Sequence, residues 1–219
     1  LYAHVLSRNE EVEDIINDMI KKANEEGSFV SLNHPVWSLQ DHDDYIDLKG
    51  LWGIEWYNAG SNTEGMMESM QCVDDLLRAG EKVFPVAGDD SHNYNIIGCC
   101  FNMVKAKDLT YESVMEAFER GDFYSTAGPE FYELYIESET LHISCSGVRK
   151  IFVTTERRVN FVKTSNEELV TEAEFDLKDY IEKSHLSEEH YNKAFIRVTL
   201  IDESGNEAHS RAYFLKDIV

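Results

Sequence analysis

Hydrophobic and polar positions follow two textures along this chain. Up to about residue 127, stretches of helical spacing are separated by short apolar runs that end in polar residues. Val12, Ile15, Ile16, Met19, Ile20 and Ala23 recur at helical period, behind the pair Ser7 and Glu10 and ahead of Gly27. That pattern predicts an amphipathic helix with a capping box and a glycine stop. The run 29–32 predicts a short buried strand ending in Asn33-His34-Pro35, with the proline holding His34 extended. A polar loop is expected over 38–49 and a strand over 51–57. A helix from about 63 to 79 is expected to turn Met66, Met67, Met70, Val73, Leu76 and Leu77 inward and stop at Gly80. Residues 83–87 predict a strand leading into Gly88-Asp89-Asp90-Ser91-His92. A strand over 99–104 then precedes a helix capped by Thr110 and stopped by Gly121. Residues 1–6 read as the tail of a strand, and 123–126 as a closing strand.

After Gly128-Pro129 short alternating runs take over, at 131–136, 141–145, 151–154, 159–162, 195–201 and 212–215, with a charged stretch at 182–192. The expected organisation is an α/β domain over residues 1–129, with mostly parallel strands, followed by a small β-rich, sandwich-like module over 130–219.

Composition narrows the function. A net charge of -22 argues against an extended basic groove for nucleic acid. Phosphate groups are still accessible if bound cations supply the positive charge. Cys72, Cys99, Cys100 and Cys145 form no C-x-x-C pair, and are expected to be reduced thiols in the cytoplasm. No apolar run reaches the length of a membrane span, and no signal-peptide pattern opens the chain. Leu1 opens directly on a strand-like run, so a fragment or processed chain is expected. The oligomeric state has no signature in the sequence.

The candidate chemistry sits where apolar strands end. Asp90-Ser91-His92 places a carboxylate and an imidazole two residues apart, where both can reach one ion; Zn, Mn or Fe accepts such mixed ligation. His34 is a second strand-end donor, and His4, on the first apolar run, is a third. Glu55, in Gly-Ile-Glu-Trp-Tyr-Asn, reads as a ligand, a partner orienting an imidazole, or a polar strand-end residue. Asn33, Asn58 and Asp89 are the neighbouring candidates for orienting ligands or lining a substrate pocket. His42 lies among Asp41, Asp43 and Asp44, and reads as a solvated acidic turn. His142, His185, His190 and His209 show no ligand spacing and read as surface residues. Nucleophile-elbow, Walker, dinucleotide-binding and H-E-x-x-H motifs are absent.

Taken together, Tyr-Ala-His-Val-Leu at 2–6, Leu-Asn-His-Pro at 32–35, Gly-Ile-Glu-Trp-Tyr-Asn at 53–58 and Ala-Gly-Asp-Asp-Ser-His at 87–92 resemble the PHP (polymerase and histidinol phosphatase) family. The stretch 121–129 resembles the close of many such domains. The resemblance implies a distorted barrel of seven strands, of which this chain carries the later part. It implies two or three divalent ions (Mn, Zn or Fe) at the strand ends, and attack of a metal-bound hydroxide on a phosphate ester. Carried over by position, His34, Asp90, His92 and His4 are the metal ligands. The implied substrate is a phosphorylated small molecule, a nucleotide or an oligonucleotide. The family's opening H-x-H pair, the acidic residue after it, its T-D-H histidine and its bridging glutamate have no counterpart here and would lie before Leu1. Weak metal binding by this chain is therefore expected. Asp122 stands where relatives often carry arginine. Two other readings stay open: a non-catalytic interaction module derived from such a domain, and an amidohydrolase-type metal hydrolase.

Overall fold

The computed structural model describes residues 10–218, and the chain divides into two compact units between Phe101 and Asn102. In the first unit the elements are α1 (Glu10–Glu25), β1 (Ser31–Leu32), α2 (His42–Tyr45), β2 (Gly53–Asn58), α3 (Ala59–Thr63), α4 (Gln71–Ala79) and β3 (Phe84–Gly88), followed by a 3-10 turn at Tyr94–Ile96. The three strands form an open parallel sheet in the order β1-β2-β3, with Leu32 opposite Ile54 and Ile54 opposite Pro85. β2 is the middle strand and is buried at every position but Tyr57, the continuous burial expected of a parallel strand covered on both faces. α4 contributes Cys72, Val73, Leu76 and Leu77 to the core. It ends on Gly80 at φ 100°, a left-handed conformation open to glycine without steric penalty.

The single helix expected over 63–79 is two. The Asn58 side chain accepts from Ser61 N and starts α3. Gly65 (φ 80°) breaks the helical path, and Met66 and Met67 are exposed. The acidic tract at 41–44 is a helix start rather than a solvated turn. Asp41 caps α2, and the Asp44 carboxylate returns a bond to the Asp41 N–H, a reciprocal capping box. The strand expected over 1–6 and the Ser7 cap lie outside the described residues.

The second unit takes in β4 (Phe101–Val104), whose first residue sits at the division, then α5 (Tyr111–Arg120), β5 (Phe123–Thr126), β6 (Phe131–Glu137), β7 (Thr140–Val148), β8 (Lys150–Thr155), β9 (Asn160–Thr164) and β10 (Val170–Asp176). It continues with α6 (Lys178–Ser184), α7 (Glu188–Lys193), β11 (Phe195–Ile201), β12 (Glu207–Ser210), β13 (Tyr213–Phe214) and α8 (Leu215–Ile218). One sheet runs β10-β7-β6. The other runs β4-β5-β12-β11-β8-β9, with β13 also paired to β11. Ile143 and Cys145 of β7, Ala173 of β10, Ile151 and Val153 of β8, and Val198 and Leu200 of β11 share one buried cluster, which Leu177, Tyr180 and Ile181 also join.

The seven-stranded α/β barrel implied by the resemblance is not formed. The described strands fall into three sheets, none of them closed, and β1 and β3 are the free edges of the parallel one. β5, which the sequence places at the end of an α/β half, pairs antiparallel with β12, Ser125 opposite His209. Among the described residues no helix is long and apolar enough to cross a membrane.

His209 is a second correction: it is 2% exposed, not a surface residue. Arg197 Nη1 donates to Thr199 Oγ1 (2.8 Å), Thr199 Oγ1 lies 3.0 Å from His209 Nδ1, and His209 Nε2–H donates to Glu207 Oε2 (2.8 Å). The His209 hydrogen bond is the largest influence on the Glu207 carboxyl. Burial opposes it, and the charges of His209 and Arg197 add to it; the net result lies below the usual carboxylate range. A carboxyl more acidic in the folded than in the unfolded chain adds stability above its unfolded pKa. That contribution is lost as pH falls through the folded pKa. The melting temperature of the chain is therefore expected to decline with acidification across that window, and Glu207→Gln to flatten the decline. Superimposable profiles of melting temperature against pH for the two proteins would contradict this role.

Candidate functional site

Because β1, β2 and β3 are parallel, their C-terminal ends share one edge of the sheet. Asn33 and His34 follow β1, Asn58 closes β2, and Asp89 and Asp90 follow β3. That edge is where parallel α/β sheets gather their ligand-binding residues. A cavity of about 440 Å³ opens there, lined among others by His34, Trp37, Ser61, Asp90 and His92.

The two strand-end turns share an uncommon backbone. His34 (φ 36°) and Asp90 (φ 47°) are two of the five non-glycine residues in the left-handed region among those described. This conformation costs an L-residue about 1–2 kcal/mol, and it persists only where the surroundings fix it. For His34 the surroundings are explicit. Its N–H donates to Glu55 Oε2 at 2.7 Å, and its carbonyl accepts from Ser38 N at 2.9 Å. The Glu55 contact, from another strand, together with the local turn bond from Ser38, overrides the extended conformation that Pro35 favours. Two further donors of the turn, Val36 N and Trp37 N, reach Glu68 Oε2 and Oε1 at 2.8 and 2.9 Å. The Trp37 indole N–H donates to Glu64 Oε2 (2.8 Å), and its ring meets His34 edge-on at 5.1 Å.

Asn58 joins the strand ends. Its Nδ2 donates to Glu55 Oε2 (3.1 Å) and to Asp90 Oδ2 (3.2 Å), while its Oδ1 accepts from Ser61 N (2.8 Å). Gly60 N donates to the Asp89 carbonyl at 3.0 Å. A side chain at Gly60 would meet Asn58 Oδ1 and the Asp90 carbonyl at 3.1 Å each, so glycine is what allows this close approach. Burial pushes the Glu55 carboxyl up, against the opposing bonds from Asn58 and the His34 N–H. Burial likewise raises Glu68, against its bonds from Val36 and Trp37. Asp89 goes the other way: burial would raise it, but the N–H groups of Gly98, Cys100 and Cys99 together hold it below the usual range. Its carboxylate is thereby committed to the turn at 98–100, with Gly98 N at 2.5 Å and Cys100 N at 3.0 Å.

The donor set suits a divalent ion of the borderline class. His34 Nδ1 lies 3.0 Å from Ser38 Oγ, and His92 Nδ1 lies 2.9 Å from the Asp90 carbonyl. Each ring therefore has one nitrogen tied by an orienting partner and Nε2 remaining, the usual arrangement of histidine ligands. Asp90 is 44% exposed at its side chain and His92 83%, both within reach of a solute. Among the described residues, no group of three or more His, Cys, Asp or Glu side chains is disposed to hold an ion as it stands.

The sequence-predicted residues thus separate. His34, Asp90 and His92 line one cavity, and Glu55 and Asn58 hold the turns that carry them. Asn33 is exposed and accepts from Ser31 Oγ (2.7 Å). His42 lies on α2, 3.3 Å from Asp43. His4 falls outside the described residues. Sequence reasoning missed Glu68, whose only signal was a carboxylate inside the methionine-rich run 66–70, and Trp37, a bulky aromatic just beyond His-Pro. Comparison with family models, curated proteins and solved structures returned no match for this chain.

Proposed function

We propose that this chain contributes the His34, Asp90 and His92 ligands to the site of a metal-dependent phosphoesterase of the PHP type. The observation that carries the reading is that these three side chains, from two neighbouring strand-end turns, line a single cavity with both imidazoles oriented through Nδ1. The charge balance of the cavity supports it. Neither lysine nor arginine is among its described lining residues, so a phosphate bound there has to find its counter-charge in a cation.

A divalent ion of the Mn, Zn or Fe class, when bound, neutralises phosphate oxygens and lowers the pKa of water towards ~7. Asp90 brings the one carboxylate of the set, and His34 and His92 bring neutral nitrogen donors. Asn58 keeps the Asp90 carboxylate turned by its bond to Oδ2, and Glu55 keeps His34 in place through the backbone. The half-exposed Trp37 ring forms an apolar wall against which the organic part of a phosphorylated metabolite, nucleotide or oligonucleotide end can pack. The unpaired thiols of Cys72, Cys99, Cys100 and Cys145 fit a reducing, cytoplasmic setting.

The test is a metal-restoration assay. The chain is stripped with a chelator and titrated with Mn or Zn, and release of p-nitrophenol from its phosphate ester and its acetate is followed. Hydrolysis of the phosphate that needs the added ion is expected. Activity that survives exhaustive chelation would overturn the reading. Metal-supported hydrolysis of the acetate alone would move the chain to the amidohydrolase class. Failure to bind either ion would leave an interaction module.

A further inference from the structure

The second unit holds a cavity of about 410 Å³ that the phosphoesterase reading does not use. Its walls include the aromatic rings of Tyr124, Phe131, Tyr132 and Tyr213, and two cations, Lys105 and Arg211. Tyr124 and Phe131 meet edge-to-face at 5.1 Å, a packing that fixes both rings. Tyr132 is 62% exposed, so most of its ring is open to a solute. The Arg211 guanidinium sits 4.5 Å from the centre of the Tyr213 ring, a cation–π contact that holds the charge at the wall without neutralising it.

Two cations share the cavity with its aromatic rings. In a chain with 42 acidic and 20 basic residues, a surface cation has carboxylates to choose from. Arg78, Arg120, Arg149, Arg157, Lys49 and Lys183 each have one within 4.0 Å. Lys105 and Arg211, like Lys107, Lys150, Arg158 and Lys163, have no carboxylate that close among the described ion pairs, but these two stand together beside open aromatic rings. Of the two carboxylates at the same cavity, Asp122 is taken by Arg120, with Nε to Oδ2 at 2.7 Å. Glu133 is left on the rim. Two cations without a carboxylate partner, Arg211 being engaged only by Tyr213, and an open aromatic ring in one concave site complement a ligand that is both planar and negatively charged.

We propose that this cavity binds a small aromatic anion, its ring packed on the Tyr132 and Phe131 side and its carboxylate or phosphate drawn to Lys105 and Arg211. Aromatic carboxylic acids and nucleoside monophosphates share that chemistry. Isothermal titration calorimetry of the full chain, in chelator to keep ions from the first unit, separates them with two probes, 4-hydroxybenzoate and AMP. Phenol and inorganic phosphate serve as the ring-only and charge-only controls. Saturable binding of either aromatic anion is expected, weaker by about tenfold or more in Lys105→Gln and in Arg211→Gln, since a charge-assisted bond is lost in each. Tyr132→Ala should weaken it as well, while Asp90→Ala leaves it unchanged. Lys105 and Tyr132 are exposed, so their substitution leaves the fold intact. Binding of AMP alone marks a nucleotide site, and binding of 4-hydroxybenzoate alone an aromatic-acid site. No saturable heat with either, or binding indifferent to all three substitutions, overturns the proposal.

Discussion

Under the proposed function, Asp90→Ala is expected to abolish divalent-ion binding and to lower phosphoesterase activity by more than about 100-fold, beyond the 10–100-fold typical of losing a partner that only orients a ligand. Asp90 is the one carboxylate among the three proposed donors, and the other carboxylate lining the cavity, Glu64, is engaged by the Trp37 indole N–H, so the loss of Asp90 removes the charge best placed to meet a cation. The fold should survive. The side chain is 44% exposed, and the bond it gives up, from Asn58 Nδ2 at 3.2 Å, is long; Asn58 keeps its bonds to Glu55 and Ser61. His92→Ala, at an 83% exposed side chain, should act in the same direction. Asp90→Asn is the sharper variant, because it keeps the shape and removes the charge. Elemental analysis after desalting and phosphate release under added Mn or Zn read the two effects separately. Unchanged metal content in Asp90→Ala and Asp90→Asn, with melting temperatures like the parent's, would remove these residues from any metal site.

What the sequence disclosed follows the range of the interactions concerned. Strand-end placement of His34 and Asp90 was readable because an apolar run followed by polar residues is a local pattern, and parallel strands put such ends on one edge. Gly80 and Gly121 as helix stops, and Thr110 as a cap, are local for the same reason. Barrel closure was not readable, since alternation of strand and helix says nothing about which strands become edges. β5 has the texture of its predecessors, yet its partner β12 lies far along the chain. The helix expected over 63–79 broke because helical spacing of Met66 and Met67 competes with Gly65 in a left-handed turn and with Glu68 drawn away to Val36 and Trp37. His209 looked like a surface residue because nothing nearby in sequence announces Arg197 and Thr199 beside it. The bend at His34 is of the same kind: Glu55, on another strand, takes its N–H and decides its backbone.

That dependence on distant carboxylates makes the turn after β1 the vulnerable part of the site, and Glu68 its most exposed point of failure. Glu68→Ala is expected to destabilise the first unit by about 2–4 kcal/mol. Two half-buried backbone donors lose their acceptor at once, each orphaned N–H costing about 1–3 kcal/mol, with water recovering part of the loss. Glu68 is 9% exposed and touches neither Asp90 nor His92 through a hydrogen bond. Any effect on metal affinity therefore travels through the turn that carries His34 and Trp37. Weakening of 10–100-fold is the scale for a lost orienting partner. Glu68→Gln should fall between parent and alanine variant, since its amide has one acceptor oxygen where the carboxylate used two, and its NH2 would face a backbone donor. Thermal melts of the metal-free proteins report the packing loss, and Mn or Zn titrations report the displacement of His34. A lower melting temperature with undiminished metal affinity would make Glu68 a purely structural brace and leave the geometry of His34 to Glu55 alone.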